Sequence, residues 1–289
     1  VQSPFPELWP EILTKRSSLY RSLPEKLKPK LHKLISLFLH KIDFAPLEGE
    51  EPPVEITEQM RVLVAAEACL LILNLRDDPI ECFSLYQKVK EVRIARNIPK
   101  TRVEGAGDIL GQWDNNDTVV LAWGPTLGSS KISKDKFNII IHEFAHALDS
   151  AADDLCDGNP FELKEKKRRG QHVEIQLSDG QIFKAKSIKT RRQWQDIIET
   201  MHKDLEKVYE QRRENIIREY GSTNPQEFFA VATEAYLDIP KKLQKTAPDV
   251  YRLINSFYEL NPHDWDKEEN EIIEPIPSSP SPDTFPDVL

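Results

Sequence analysis

The sequence predicts a mostly helical α+β domain with a small sheet, and three observations predict it. Apolar residues recur at helical spacing through most of the chain from Pro24 to Tyr258. β-prone segments interrupt that pattern only between Leu85 and Trp123, and again around Ser178-Asp179-Gly180. One segment, Ile139-Ile140-Ile141-His142-Glu143-Phe144-Ala145-His146-Ala147-Leu148-Asp149, is apolar nearly all round yet carries two histidines and a glutamate.

The elements follow in order. Residues 1–23 are punctuated by Pro and Ser and read as an N-terminal arm, with Trp9, Ile12, Leu13 and Leu19 able to pack on something. From Pro24 to Ile42, Leu27, Leu31, Leu34, Ile35, Phe38 and Ile42 line one helix face. Pro46 to Pro53 is a loop. A second helix, Ile56 to Leu75, is so apolar from Val62 to Leu73 that it belongs at the centre. Val89, Val92 and Ile94 mark a β-prone segment, and Thr118 to Trp123 reads as a strand after the polar turn Asp114 to Asp117. That strand is either the edge along which a peptide lies as an added strand or an internal core strand. Gly124 to Asp135 is a connection, with Ser133 placed to cap the helix that follows.

After Asp149 the chain is polar to Gly170. His172–Leu177 and Gln181–Ala185 then alternate about a Gly-bearing turn, a hairpin signal. It falls within a segment of about residues 157–188 that is expected to be a surface insertion, with the hairpin exposed outside the core. Thr190 to Arg218 reads as one long charged amphipathic helix, with Trp194, Ile197, Ile198, Met201, Leu205 and Val208 on its apolar face. Asn224 as cap, Pro225 at the first helical position, and Gln226 and Glu227 in the first turn open another helix, which runs to about Asp238. Pro240 and Pro248 punctuate two more. The main domain thus spans residues 24–262, and residues 263–289, acidic and then Pro/Ser-rich, read as a disordered tail.

Composition excludes several functions. Of 289 residues 39% are hydrophobic and 30% charged, ordinary for a globular protein. A net charge of -9 argues against nucleic acid as a partner, because phosphate binding needs a clustered positive surface. The one basic run, Lys164 to Arg169, is interrupted by Glu165 and reads as a solvated loop. Cys69, Cys82 and Cys156 are few, odd in number and widely spaced, which points to a reducing, cytoplasmic setting. The longest apolar run is broken by Glu67 and too short for a bilayer, so no membrane partner is expected. The first residues, Val1-Gln2-Ser3-Pro4-Phe5, have neither the basic nor the apolar region of a secretory leader.

The chemistry lies in His142-Glu143-Phe144-Ala145-His146. Residues four apart share a helix face, so both imidazoles can reach one zinc ion, while Glu143 sits where it can take a proton from a water on that ion. Two histidines and a glutamate in a buried helix need partners, since unpaired buried polar groups are costly. A hydrolytic zinc needs a third protein ligand. The metzincin continuation fails, because Asp149 stands where that pattern needs Gly and Ala152 where it needs His. His172 and His202 fall in the hairpin and on a charged helix and are poor candidates. A carboxylate from a later helix is the expected alternative, and the helix from Asn224 offers Glu227 and Glu234, seven residues apart and on one face.

Two blocks, Ile140 to Asp149 and Asn224-Pro225-Gln226-Glu227-Phe228-Phe229-Ala230-Val231-Ala232-Thr233-Glu234, resemble the signature blocks of the Mlc titration factor A-like (MtfA-like) zinc peptidases. Weaker resemblance in Phe44 to Gly49, Val119 to Trp123 and Phe257-Tyr258 extends it over about residues 20–262. That family is in turn similar to the catalytic domain of anthrax lethal factor. The resemblance implies a zincin-like metallopeptidase domain holding one zinc ion (Zn2+) through His142, His146 and Glu227, with Glu143 as general base. It implies a catalytic role for Tyr220, seven residues before Glu227, as donor to the oxyanion. It implies a peptide substrate and aminopeptidase-like activity or, as the alternative, a regulatory zinc protein that binds and titrates a transcriptional repressor. The 157–188 segment is longer than the family's usual link between the blocks, and the Pro-rich tail is an addition.

Overall fold

The computed structural model describes residues 5–96, 111–113, 117–123, 138–152, 157–160, 174–178, 180–184 and 190–265. Helices predominate. Two short ones, α1 (Leu8–Arg16) and α2 (Ser18–Ser22), bury Leu13, Leu19 and Tyr20 against the body, and Trp9 Nε1 donates to Glu58 Oε1 at 2.6 Å. α3 (Lys28–Lys41) turns Leu31, Leu34, Ile35 and Phe38 inward, the helical spacing read from the sequence. α4 (Glu58–Ile72) begins where the Thr57 hydroxyl accepts from the Met60 N–H, and it is buried on almost every side. α5 (Pro79–Phe83) is capped by Asp78.

The sheet has four strands, β1 (Asp43–Pro46), β2 (Glu91–Ala95), β3 (Gly111–Trp113) and β4 (Thr118–Ala122), in the order β1-β2-β4-β3. β1, β2 and β4 are parallel, with Phe44, Val92 and Val119 in register, and β3 runs antiparallel to β4. β4 is therefore internal, and the edge reading does not hold for it: it is a core strand, with Val119 and Leu121 buried. β1 and β3 escaped the sequence because they are short, one ending in Pro46 and the other opening with Gly111, residues that strands usually avoid.

α6 (Ile139–Ala152) packs on β3 and β4 and between α4 and a later helix, Pro225–Asp238. Before that helix comes α7 (Arg191–Glu210), which ends well short of the expected Arg218. Its apolar face runs out at Val208, and the polar Gln211-Arg212-Arg213-Glu214 gives a further turn nothing to bury, so the chain reverses with Arg212 at φ 53°. α8 (Pro225–Asp238), α9 (Pro240–Thr246) and α10 (Pro248–Tyr258) each open on a proline, as expected.

The hairpin is present, as β5 (Glu174–Gln176) and β6 (Ile182–Lys184), but it is not outside the core. Ile175 and Leu177 are 0% and 5% exposed, and the Gln176 N–H donates to Asp249 Oδ1 at 2.9 Å, tying β5 to α10. Alternation puts Ile175 and Leu177 on one face, and that face found a partner, while Ile182 on β6 stays exposed. Ser133, His172 and most of the 263–289 tail lie outside the described residues; within that tail Trp265 is buried and its Nε1 donates to the Leu260 carbonyl.

Candidate metal centre

The centre is built where α6 and α8 pack together. Helical spacing brings His142 and His146 onto one face, with their Nε2 atoms 3.1 Å apart. α6 follows directly on Asn138, whose Oδ1 accepts from the Ile141 N–H at 3.2 Å and so caps the helix. On α8 the Asn224 side chain accepts from the Glu227 N–H at 2.8 Å, which fixes the first turn and points the Glu227 carboxylate at the histidines. Its Oε2 lies 3.0 Å from His142 Nε2 and 3.3 Å from His146 Nε2. Among the described residues these three form the one group of His, Cys, Asp and Glu side chains able to hold a metal ion.

The triangle fits a tetrahedral cation. Metal–ligand bonds of about 2.0–2.1 Å in a tetrahedron imply ligand–ligand edges of about 3.3 Å, close to the observed 3.0, 3.1 and 3.3 Å. Glu227 Oε2 is buried and receives no well-aligned hydrogen bond, the state of an acceptor whose partner is a cation. Burial disfavours the charged carboxylate, yet the imidazoles of His142 and His146 outweigh it and hold the Glu227 carboxyl far below its usual range.

The far side of His142 is also engaged. Its Nδ1–H donates to Glu234 Oε1 at 2.7 Å, and the same oxygen accepts from Arg218 at 2.6 Å. Glu234 Oε2 accepts from the Asn138 N–H at 3.2 Å. In the neutral ring this bonding selects the tautomer with its proton on Nδ1, which leaves the Nε2 lone pair on the side of Glu227 and His146. Burial lowers the His142 pKa, but the carboxylates of Glu227 and Glu234 beside the ring override it and raise the value to about 10.

Glu143, the next residue after His142 on α6, is buried, and its charge acts on both His142 and Tyr220. Tyr220, in the turn Glu219–Ser222, is 43% exposed, and its hydroxyl donates to Glu227 Oε1 at 3.3 Å. Burial of the hydroxyl end, then the charges of Glu227 and Glu143, keep the phenol protonated far above the usual tyrosine range. His202 is elsewhere, with its Nε2 donating to the Ser222 carbonyl at 3.0 Å.

A protein-family model for glucose-regulated metallo-peptidases, M90, matches residues 1–259. The chain belongs to this M90 family. An uncharacterized protein of Synechocystis sp. is 29% identical over 266 residues, 90% of this chain and 86% of that one. Mlc titration factor A of Escherichia coli O1:K1 is 25% identical over 88% of this chain and 86% of its own length. The protein of the same name from Pectobacterium atrosepticum is 27% identical over 150 residues, 52% of this chain. With two histidines of a His-Glu-x-x-His helix on one face over a small sheet, the M90 chain has a zincin-like metallopeptidase fold.

Two residues of this M90 centre were not singled out from the sequence. Arg218 stands at the end of the expected Thr190–Arg218 helix, where a charged residue reads as solvated, although its place two residues before Tyr220 is a hint. Asn138, directly before the apolar run of α6, carries an ordinary cap signature.

Proposed function

We propose that this chain is a zinc-dependent peptidase in which His142, His146 and Glu227 hold the metal and Glu143 is the general base. The observation that carries the reading is the buried Nε2, Nε2, Oε2 triangle of edge 3.0–3.3 Å, with Glu143 following His142 on the same buried helix. A zinc ion held there supplies a Lewis acid and makes a water acidic near neutral pH. Glu143 takes a proton from the attacking water on a carboxylate oxygen and passes it to the leaving amine. Tyr220, kept protonated, donates its O–H to the oxygen of the scissile carbonyl as negative charge develops on it. Glu234 and Arg218 hold the His142 ring, so Nε2 does not have to reorient during the reaction.

For the substrate we favour a peptide bound in extended form along β3. That strand has a neighbour on one side only among the described residues and lies against α6. Aminopeptidase-like cleavage of small peptides is the activity to test first, and the cysteine usage supports a cytoplasmic setting. No helix among the described residues is long and apolar enough to cross a membrane.

A second reading rests on the relatives named Mlc titration factor A: a protein that binds and titrates a transcriptional repressor, with little peptidase activity. Elemental analysis of the purified chain, paired with cleavage of a peptide library, separates the two. Peptidase function predicts one zinc per chain and cleavage abolished by a chelator. Stoichiometric zinc with no cleavage across the library would favour the titration reading.

A further inference from the structure

Asp149 lies one helical turn beyond His146 on α6 and is 0% exposed, with no place in the metal triangle. Its two oxygens accept from consecutive backbone amides, Gly158 N–H and Asn159 N–H, each at 2.6 Å. The turn they hold is also tied to α7. Trp194 Nε1 donates to the Gly158 carbonyl at 3.0 Å, and the buried Asn159 side chain donates to the Arg191 carbonyl and to Gln195 Oε1 at 3.0 and 2.9 Å. An Arg191–Asp157 ion pair of 2.8 Å closes the bracket.

The third side of this bracket is the first peptide of α8. A Cβ placed on Gly158 would lie 2.4 Å from the Pro225 carbonyl oxygen and 2.8 Å from its carbon, so the two backbones are in direct contact. Gly158 also has φ +79°, which disfavours any side chain there. Pro225 is two residues before Glu227. One continuous contact path therefore runs from the histidine helix through Asp149 and Gly158 to the turn that carries the third member of the triangle.

We infer that Asp149 and Gly158 are positioning residues of the metal centre, setting the distance between Glu227 and the two histidines by bracing the first turn of α8. The inference rests on the metal reading proposed above. Magnitude supports it. Relieving a 2.4 Å contact to an ordinary 3.4 Å requires a shift of about 1 Å, whereas metal–ligand distances tolerate about 0.2 Å. Close-packed interiors pass such a displacement on.

The structure supplies its own controls. Gly49 and Gly180 also have positive φ, +83° and +87°, but a Cβ at either meets nothing within 4 Å. Alanine at all three sites costs similar backbone strain, and only at Gly158 does it push α8. Zinc titration by chelator competition on the full chain, with circular dichroism to check folding, reads the difference. Gly158→Ala should lose about 10–100-fold in zinc affinity, the range for groups that orient ligands, while Gly49→Ala and Gly180→Ala bind as wild type. Asp149→Asn keeps the shape but turns an N–H donor towards a backbone N–H, and should show a loss in the same direction. It decides the matter if Gly158→Ala does not fold. Wild-type affinity in a folded Gly158→Ala or Asp149→Asn protein overturns the inference, as does an equal loss in the Gly49 and Gly180 controls. A wild-type chain that binds no zinc overturns the metal reading itself and this inference with it.

Discussion

Glu227 in the first turn of α8 and Glu234 two turns later are the same residue type on one helix face, and both reach His142. They reach it from opposite sides of the ring. Glu234 meets Nδ1, shares that oxygen with Arg218 and accepts from the Asn138 N–H with its other oxygen. Glu227 meets Nε2, along with the Nε2 of a second histidine, and its buried Oε2 has no well-aligned donor. In the proposed site the saturated carboxylate orients the ring, and the unsaturated one offers the oxygen a cation would take. Sequence spacing treats the two alike; their hydrogen-bond partners do not.

The sharpest test brings in a third carboxylate that belongs to neither role. Glu143→Gln should reduce turnover by about 10²–10⁴-fold with zinc content unchanged, which steady-state kinetics and metal analysis on one preparation would read. Turnover at the wild-type level would remove the general base from the mechanism. Next comes the comparison itself. Glu227→Ala should lower zinc affinity by more than about 100-fold, and Glu234→Ala by about 10–100-fold, the range for residues that hold a ligand in place. Zinc titrations in the reverse order would exchange the two assignments. Arg218→Ala should follow Glu234→Ala in direction with a smaller loss, because Glu234 keeps its bond from Asn138.

The smallest effect lies at the other end of α8. Asp238, one turn past Glu234, acts on the partly buried Glu67 of α4, carboxylate against carboxylate. Burial first and Asp238 second push the Glu67 pKa from 4.5 to about 7, opposed by a hydrogen bond with Asn138. A folded pKa above the unfolded one contributes stability that is present below about pH 4.5 and lost as pH rises through about 7. Glu67→Gln should therefore raise the thermal midpoint by a few degrees at pH 8, with the gain shrinking towards pH 5. A gain independent of pH would show that the effect is one of packing and not of the Glu67 charge.

Much of this was legible in the chain. His142 and His146 on one face, Glu143 between them, and the Asn224-Pro225 opening of α8 are consequences of local periodicity and capping, which act over four residues or fewer and are written in neighbouring positions. The hairpin's alternation was legible too, but not that Ile175 and Leu177 would bury against α10, because an apolar face announces only that it needs a partner. Helix α7 was overdrawn because charged residues continue a helical pattern without stating where burial ends. Tertiary structure alone decided which oxygen meets which nitrogen. Glu227 and Glu234 are equivalent on a helical wheel, and only the packing of α8 against α6 separates them. The same holds for Arg218, Asn138, Asp149 and Gly158, whose partners lie 9 to 96 residues away in the chain. The sequence determined which groups the chain could offer to a metal; close packing between distant elements determined where each one ended up, since no short-range rule spans those separations.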